Sequence, residues 1–289
     1  MALTLKSRTE KFFKGGSFAE KYDAFIKSSM PYYDATLSLV AQEVASFSSP
    51  VGRVLDLGSG TGNFGIRVAQ TAKAKELYLV DHSRAMLAIA REKTSELDTA
   101  VSFINRSFAG KAWTSEVPRK VDTCLSFFAL DHIWDDRIFV TLALEIKQKL
   151  KDGGVWLLGE KCCGVDPQGA SRKSFEKMID IRFKHAVTTK LSTLTEAKNW
   201  RKHILTEDCV RPLRELLGYV SGAGFNVTGA WGVPLPPAEK LTEEWYYKRS
   251  RLTRLNVMSL SNDESPYGVV FLALTPGSKI HEELDGRRV

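Results

Sequence analysis

The most specific chemistry in this chain lies in two carboxylates and a run of glycines. In Val54-Leu55-Asp56-Leu57-Gly58-Ser59-Gly60-Thr61-Gly62 an acid sits in a short apolar run and glycines follow at alternate positions. Glycine, lacking a Cβ, lets a backbone turn tightly and come close to a ligand. Two registers fit. Gly60, Gly62 and Gly65 have the G-x-G-x-x-G spacing of a dinucleotide turn, and Asp81, 21 residues beyond Gly60, is placed to hold ribose hydroxyls. In the other register Asp56, Gly58 and Gly60 form a turn that cradles a ligand without a phosphate. A carboxylate at Asp56 would repel a poorly solvated pyrophosphate and attract an ammonium group. It therefore favours a nucleoside that carries an amino acid.

A methionine ammonium at one end and a ribose diol at the other describe S-adenosylmethionine (SAM). Methyl transfer from its sulfonium is an in-line displacement in which alignment and water exclusion supply most of the acceleration. A hydroxyl or an acidic carbon as acceptor also needs a base. Asp131-His132, just past an apolar run, is the first candidate, His185 the second, and Glu160 borders the same region. Tyr22, Tyr32 and Tyr33 could close over a sulfonium, since aromatic faces stabilise positive charge and exclude water. Phe127 ends the apolar run. The four cysteines show no C-x-x-C spacing and the five histidines no finger-like spacing with them, so thiols are expected reduced and no metal site is expected.

These groups need a scaffold. Strands are expected at Arg53–Leu57, Leu77–Val80, Val101–Ile104, Val121–Phe127 and Val155–Leu158, alternating with helices at Phe64–Lys73, Arg84–Ser95 (with Ser83 as cap) and Arg137–Lys149. Continuous apolar strands in βα repeats mean a parallel sheet covered on both faces, with ligands at the strands' carboxyl ends. Residues 1–46, with Phe12, Phe13, Phe18, Tyr22, Phe25 and Ile26 at helical spacing, read as a cap. Residues 162–222 read as a helical lid, and strands resume at Gly224–Thr228 and Tyr267–Leu274. Between them, residues 232–266 form an insertion with an aromatic-basic helix at Trp245–Arg249. The expected main domain spans 47–275, followed by a charged tail, 276–289.

Of the 289 residues 43% are apolar and 26% charged, an ordinary globular composition that excludes disordered, collagenous and membrane-spanning classes. The reading is a cytoplasmic protein with no membrane contact, for which a homo-oligomer is an open alternative to a monomer. Net charge is +7, unevenly spread: residues 51–160 hold 15 basic and 14 acidic side chains, residues 168–214 hold 11 and 5. Solvated helix faces or an anion-attracting rim would both explain the excess.

VLDLGSGTG, LYLVDHSRAMLAIAR, VDTCLSFFALDHI and LKDGGVWLLGE, in this order, resemble the class I SAM-dependent methyltransferases. The resemblance implies an α/β, doubly wound, Rossmann-like seven-stranded sheet with an antiparallel last strand. It also implies that Asp56, Gly58, Ser59 and Gly60 line the methionine moiety, that Asp81 binds both ribose hydroxyls, and that His82 and Met86 flank adenine. The family often places an acid after the third strand; here Ile104-Asn105-Arg106-Ser107 leaves Ser107 or the main chain to hold the adenine amine. SFAEKYDAFIKSSMPYYDATL is similar to the cap of a subset that includes small-metabolite enzymes and the tRNA wobble-uridine carboxymethyltransferase. There an arginine pairs with the extra carboxylate of carboxy-SAM; Ala197 aligns with it, with Arg201 nearby.

The expectation is a SAM-dependent methyltransferase that releases S-adenosylhomocysteine (SAH) and acts on a small aromatic or anionic acceptor, such as a natural product. The alternatives are a transferase on tRNA, an enzyme that cyclises SAM and releases methylthioadenosine, and an NAD-linked oxidoreductase.

Overall fold

A computed structural model of the chain describes residues 16–47, 51–118, 120–163, 170–262 and 267–277. Phe12, Phe13 and the side chain of Phe18 lie outside the described residues, as do 164–169 of the expected lid, 263–266 of the expected insertion and the tail from 278. Strands β1 (Arg53–Leu57), β2 (Glu76–Asp81), β3 (Ala100–Asn105), β4 (Val121–Phe127) and β5 (Leu150–Glu160) are parallel. β8 (Phe225–Pro234), β9 (Thr253–Arg254) and β10 (Tyr267–Pro276) complete one sheet in the order β3-β2-β1-β4-β5-β10-β8-β9. β10 runs antiparallel between β5 and β8. All seven residues of β4 are buried, as a central strand covered on both faces requires. Strand order reverses between β1 and its two neighbours β2 and β4, so the carboxyl ends of these three strands open a crevice.

The sheet has eight strands rather than seven. The extra strand, β9, is two exposed residues paired to Trp231 and Gly232 of β8. A short polar edge strand leaves no alternation of apolar residues in the sequence, although it blunts the sheet edge against other chains. β6 (Cys162–Cys163) and β7 (Arg211–Pro212) form a separate parallel pair.

Helices α3 (Asn63–Thr71), α4 (Arg84–Lys93) and α5 (Asp136–Lys149) follow β1, β2 and β4. Ser83 caps α4 by accepting from Met86 N, and Asp135 caps α5 by accepting from Arg137 N. α1 (Gly16–Ser29) and α2 (Tyr33–Phe47) form the cap, with α2 packed on α3. Within the expected lid, α6 (Ala170–Thr188) and α7 (Leu194–Thr206) pack with the cap, the latter opened by a capping box between Thr193 and Glu196. α8 (Leu213–Gly222) belongs to the sheet layers, because Leu213, Leu216 and Val220 share one apolar cluster with Phe139, Leu142 and Ile146 of α5. A second cluster holds the cap, the lid and the opposite side of the strands. No described helix is long and apolar enough to cross a membrane.

Gly159 shows how tightly the layer under the crevice is packed: a Cβ there would meet the Phe127 and Phe271 rings. Gly159→Ala is expected to destabilise the protein by about 1–3 kcal/mol through overpacking, read as a lower urea midpoint; an unchanged midpoint would mean that these strands relax freely.

Candidate active site

The glycine run forms a left-handed turn, with φ of +71° at Gly58, +52° at Gly60 and +80° at Gly62, conformations that cost a non-glycine residue strain. Two carboxylates hold it. Asp81 Oδ2 accepts from Gly60 N at 2.8 Å and Oδ1 accepts from Ser83 N at 2.7 Å, so one side chain ties the turn to β2 and to the start of α4. Asp56 Oδ2 accepts from Gly65 N at 3.0 Å. A Cβ on Gly60 would meet nothing within 4 Å, so the turn faces open space. That space is a cleft lined by the turn together with residues of the cap, the β4 loop and the lid.

The cap closes one side. Asp23 Oδ1 accepts from Thr61 Oγ1 at 2.7 Å and from Asn63 Nδ2 at 2.9 Å, and Asp23 pairs with Lys93 of α4. Asn63 Nδ2 also donates to Tyr33 Oη at 2.9 Å. Burial works against the Asp23 charge, but Lys93, Thr61 and Asn63 together hold the carboxyl below its ordinary range. Phe64 and Phe127 stack at 4.1 Å as the floor.

The opposite wall is ionisable. His132 ends a short turn (Leu130–His132) after β4, and Lys161 follows β5. Asp208 and His203 arrive from the end of the lid, whose return is fixed in three places: Cys209 N donates to Asp131 O, Trp134 Nε1 to Glu207 O, and Arg211 Nη2 to Ile133 O. Lys161 Nζ lies 2.5 Å from Asp131 Oδ2 and 2.7 Å from Asp208 Oδ2. Asp208 Oδ1 lies 3.3 Å from both His132 Nδ1 and His203 Nε2. Burial lowers both imidazoles, but Asp131 and Asp208 outweigh it at His132 and raise it, whereas His203 remains lowered. Two adjacent histidines are thus pushed in opposite directions, the arrangement that separates proton donors from acceptors. His132, His203 and Asp208 offer atoms within 4.8 Å of one another, a donor set suited to a divalent ion. The Lys161 ammonium already compensates Asp208, which suits the cluster to exchanging protons more than to holding an ion.

Eleven of the site residues expected from the sequence line the cleft: Asp56, Gly58, Ser59, Gly60, Asp81, His82, Met86, Phe127, Tyr22, Tyr33 and His132. Four do not. Ser107 accepts from Ala109 N in its own loop; Tyr32 is buried behind the cleft, edge-on to Tyr246. His185 lies against Tyr247, and Asp131 sits one layer back on Lys161. Arg201 pairs with Asp180 and Ala197 is buried; neither lines the cleft. The charge argument for Asp56 also changes: burial foremost, with Asp81, pushes its carboxyl up to about 7 against the Gly65 bond, so near neutral pH only part of the population is anionic. Sequence reasoning missed Lys161, Arg182, His203 and Asp208. For Arg182 a signal existed: it interrupts the apolar face of α6.

Residues 54–154 match a family profile described as a methyltransferase domain. The chain is 28% identical over 177 residues to the carboxy-S-adenosyl-L-methionine synthase of Campylobacter lari, covering 61% of this chain and 71% of that protein. To the synthase of the same name from Nautilia profundicola it is 25% identical over 210 residues, 72% of this chain and 84% of the other. A SAM-dependent methyltransferase from Clostridium acetobutylicum shares the fold at a TM-score of 0.57 and 13% identity, covering 91% of this chain and 98% of that one. The protein is a SAM-dependent transferase with a Rossmann-like α/β fold. It belongs to the class I SAM-dependent methyltransferase superfamily, and SAM is its cofactor. The site residues fit that cofactor: the turn leaves open space at Gly60, and Ser59 Oγ beside it is buried without a protein partner.

Two outcomes follow. Asp81→Ala removes the anchor of Gly60 and is expected to weaken SAH binding by about 1–3 kcal/mol, measured by calorimetry; unchanged affinity would remove Asp81 from the site. Burial, then Asp131, pushes Glu160 up to about 8. Asp56 and Glu160 hold protons more tightly folded than unfolded, so their contribution to stability is full below the unfolded pKa values and is lost as pH rises through about 7 and about 8. Glu160→Gln keeps an acceptor for Leu130 N, bonded at 2.9 Å. It is expected to reduce the fall in urea midpoint between roughly pH 5 and 9; an equally steep fall would contradict the assignment.

Proposed function

We propose that the protein methylates a small acceptor enclosed between the cap, the lid and the sheet, with Asp56, Gly58, Ser59, Gly60, Asp81, His82 and Met86 holding the cofactor and His132 taking the acceptor's proton. The observation that carries this reading is the division of one cleft into a glycine-turn half and an ionisable half, with His132 among the residues that line it. Bound SAM supplies an electrophilic methyl carbon. Asp208 and Asp131 favour the protonated imidazole, which makes His132 a stronger base and stabilises the charge it gains; Lys161 prevents the two carboxylates from repelling each other. Tyr22, whose phenol burial foremost pushes up to about 12, stays neutral and closes the cap side against water.

The basic excess of 168–214 gives little support to a tRNA acceptor, because Arg172, Arg201, Lys184 and Arg211 pair with Glu176, Asp180, Glu243 and Asp136. A second reading, in which a carboxylated SAM is made or used, draws on the names of the two relatives. Against it, Ala197 stands where the resembling enzymes place arginine, and Arg201 points away to Asp180.

Incubation with SAM and a panel of small hydroxylated acceptors is expected to release SAH only when an acceptor is present. The rate should rise with pH along a limb that reflects a His132 pKa above the ordinary histidine value, and His132→Ala should lose that limb and about 10²–10⁴ in rate. Methylthioadenosine formed from SAM alone would instead establish cyclisation.

A further inference from the structure

Arg182 is a buried cation without a counter-charge. On α6 it occupies the face of Phe175, Met178, Ile179 and Ala186, each 0% exposed, and is itself only 3% exposed. Its Nη2 donates to Ser29 Oγ at 3.2 Å, its Nε has no partner, and no carboxylate pairs with it among the described residues. The other buried cations are answered by oxygens: Lys149 by the Thr114 and Val117 carbonyls, Arg211 by Asp136 and the Ile133 carbonyl, Lys161 by Asp131 and Asp208. A guanidinium keeps its proton even when buried, so the charge persists. Unlike Lys149 and Arg211, Arg182 lines the cleft.

From this we infer that the cleft contains an anion subsite at Arg182, and that the acceptor carries a carboxylate which pairs with it. The planar guanidinium fork matches a carboxylate's two oxygens. A monoanion suits the surroundings better than a phosphate dianion, since Lys161, the other cation lining the cleft, is already held by two carboxylates. The remaining neighbours are apolar or phenolic: Ile26, Met30 and Trp200 share the cleft wall. Tyr247, near enough for its titration to feel Arg182, has a buried hydroxyl without a partner. The inference deepens the methyl-transfer reading and rests on it for the identity of the anion as an acceptor rather than part of the cofactor.

The test uses the full chain, saturated with SAH, and two pairs of probes: benzoate with benzamide, and acetate with acetamide, with inorganic phosphate alongside. SAH affinity is measured first by calorimetry, then the shift in melting temperature with each probe. Wild type is expected to be stabilised by benzoate more than by benzamide or phosphate. Arg182→Met, which fills the same apolar face, should lose the carboxylate preference while binding SAH within twofold of wild type; Arg182→Lys should retain part of the preference. Equal responses of wild type and Arg182→Met to benzoate would overturn the subsite, as would stronger stabilisation by phosphate. A tenfold loss of SAH affinity in Arg182→Met would assign the guanidinium to the cofactor's own carboxylate and overturn the acceptor assignment. Failure of wild type to bind SAH would instead overturn the methyl-transfer reading.

Discussion

The site depends on one interaction: the Asp81 carboxylate, with one oxygen on Gly60 N and the other on Ser83 N. It joins the end of β2 to a left-handed turn that no side chain but hydrogen tolerates well, and so keeps three successive glycines folded back from the sheet. Without that tie, the turn would keep the bonds from Gly58 N and Ser59 N to Val80 O, the Asp56 bond to Gly65 N and the Asp23 contact with Thr61, but nothing would fix Gly60 itself. Asp81 is itself buried, and burial foremost raises its carboxyl, with His82 and the two backbone N–H groups acting in the other direction. A charged ligand end arriving at this turn therefore meets hydrogen-bond geometry more than a strong field.

The rest of the cleft is assembled around that turn by two kinds of contact. Asp23, Thr61, Asn63 and Lys93 bring the cap onto the turn through hydrogen bonds and an ion pair. The lid is anchored differently. Its return segment is held by main-chain bonds to the β4 loop, which place Asp208 and His203 against His132 and Lys161. A network of two carboxylates, a lysine and two histidines is stable in a buried position only when each charge has its partner. That completeness makes Arg182, a buried cation on the same cleft with no carboxylate beside it among the described residues, stand out.

The glycine-turn half of the cleft was legible from sequence as geometry because it is local: a strand, a glycine turn and a capped helix lie close together in the chain, and their residue types state their geometry. The Rossmann-like sheet was legible for the same reason, since its central strands are continuous apolar runs. The ionisable half was not. Lys161 follows β5 whereas His203 and Asp208 come from the end of the lid, and only the lid's return path joins them. The protonation of Asp56 was misjudged because burial is a tertiary property: the same aspartate next to water would be a plain anion. That α8 packs with the sheet layers was not legible either, because its outer face is polar and only its inner face joins the apolar cluster. The edge strand β9 carries no pattern of its own at all.

The most direct measurement of the central claim is a pair of calorimetric titrations of the wild-type protein, one with SAH and one with NAD, in the same buffer near neutral pH. The account requires saturable, one-to-one binding of SAH and no heat from NAD. Saturable binding of NAD with SAH silent would contradict it at its foundation, because the turn held by Asp81 would then be a pyrophosphate cradle.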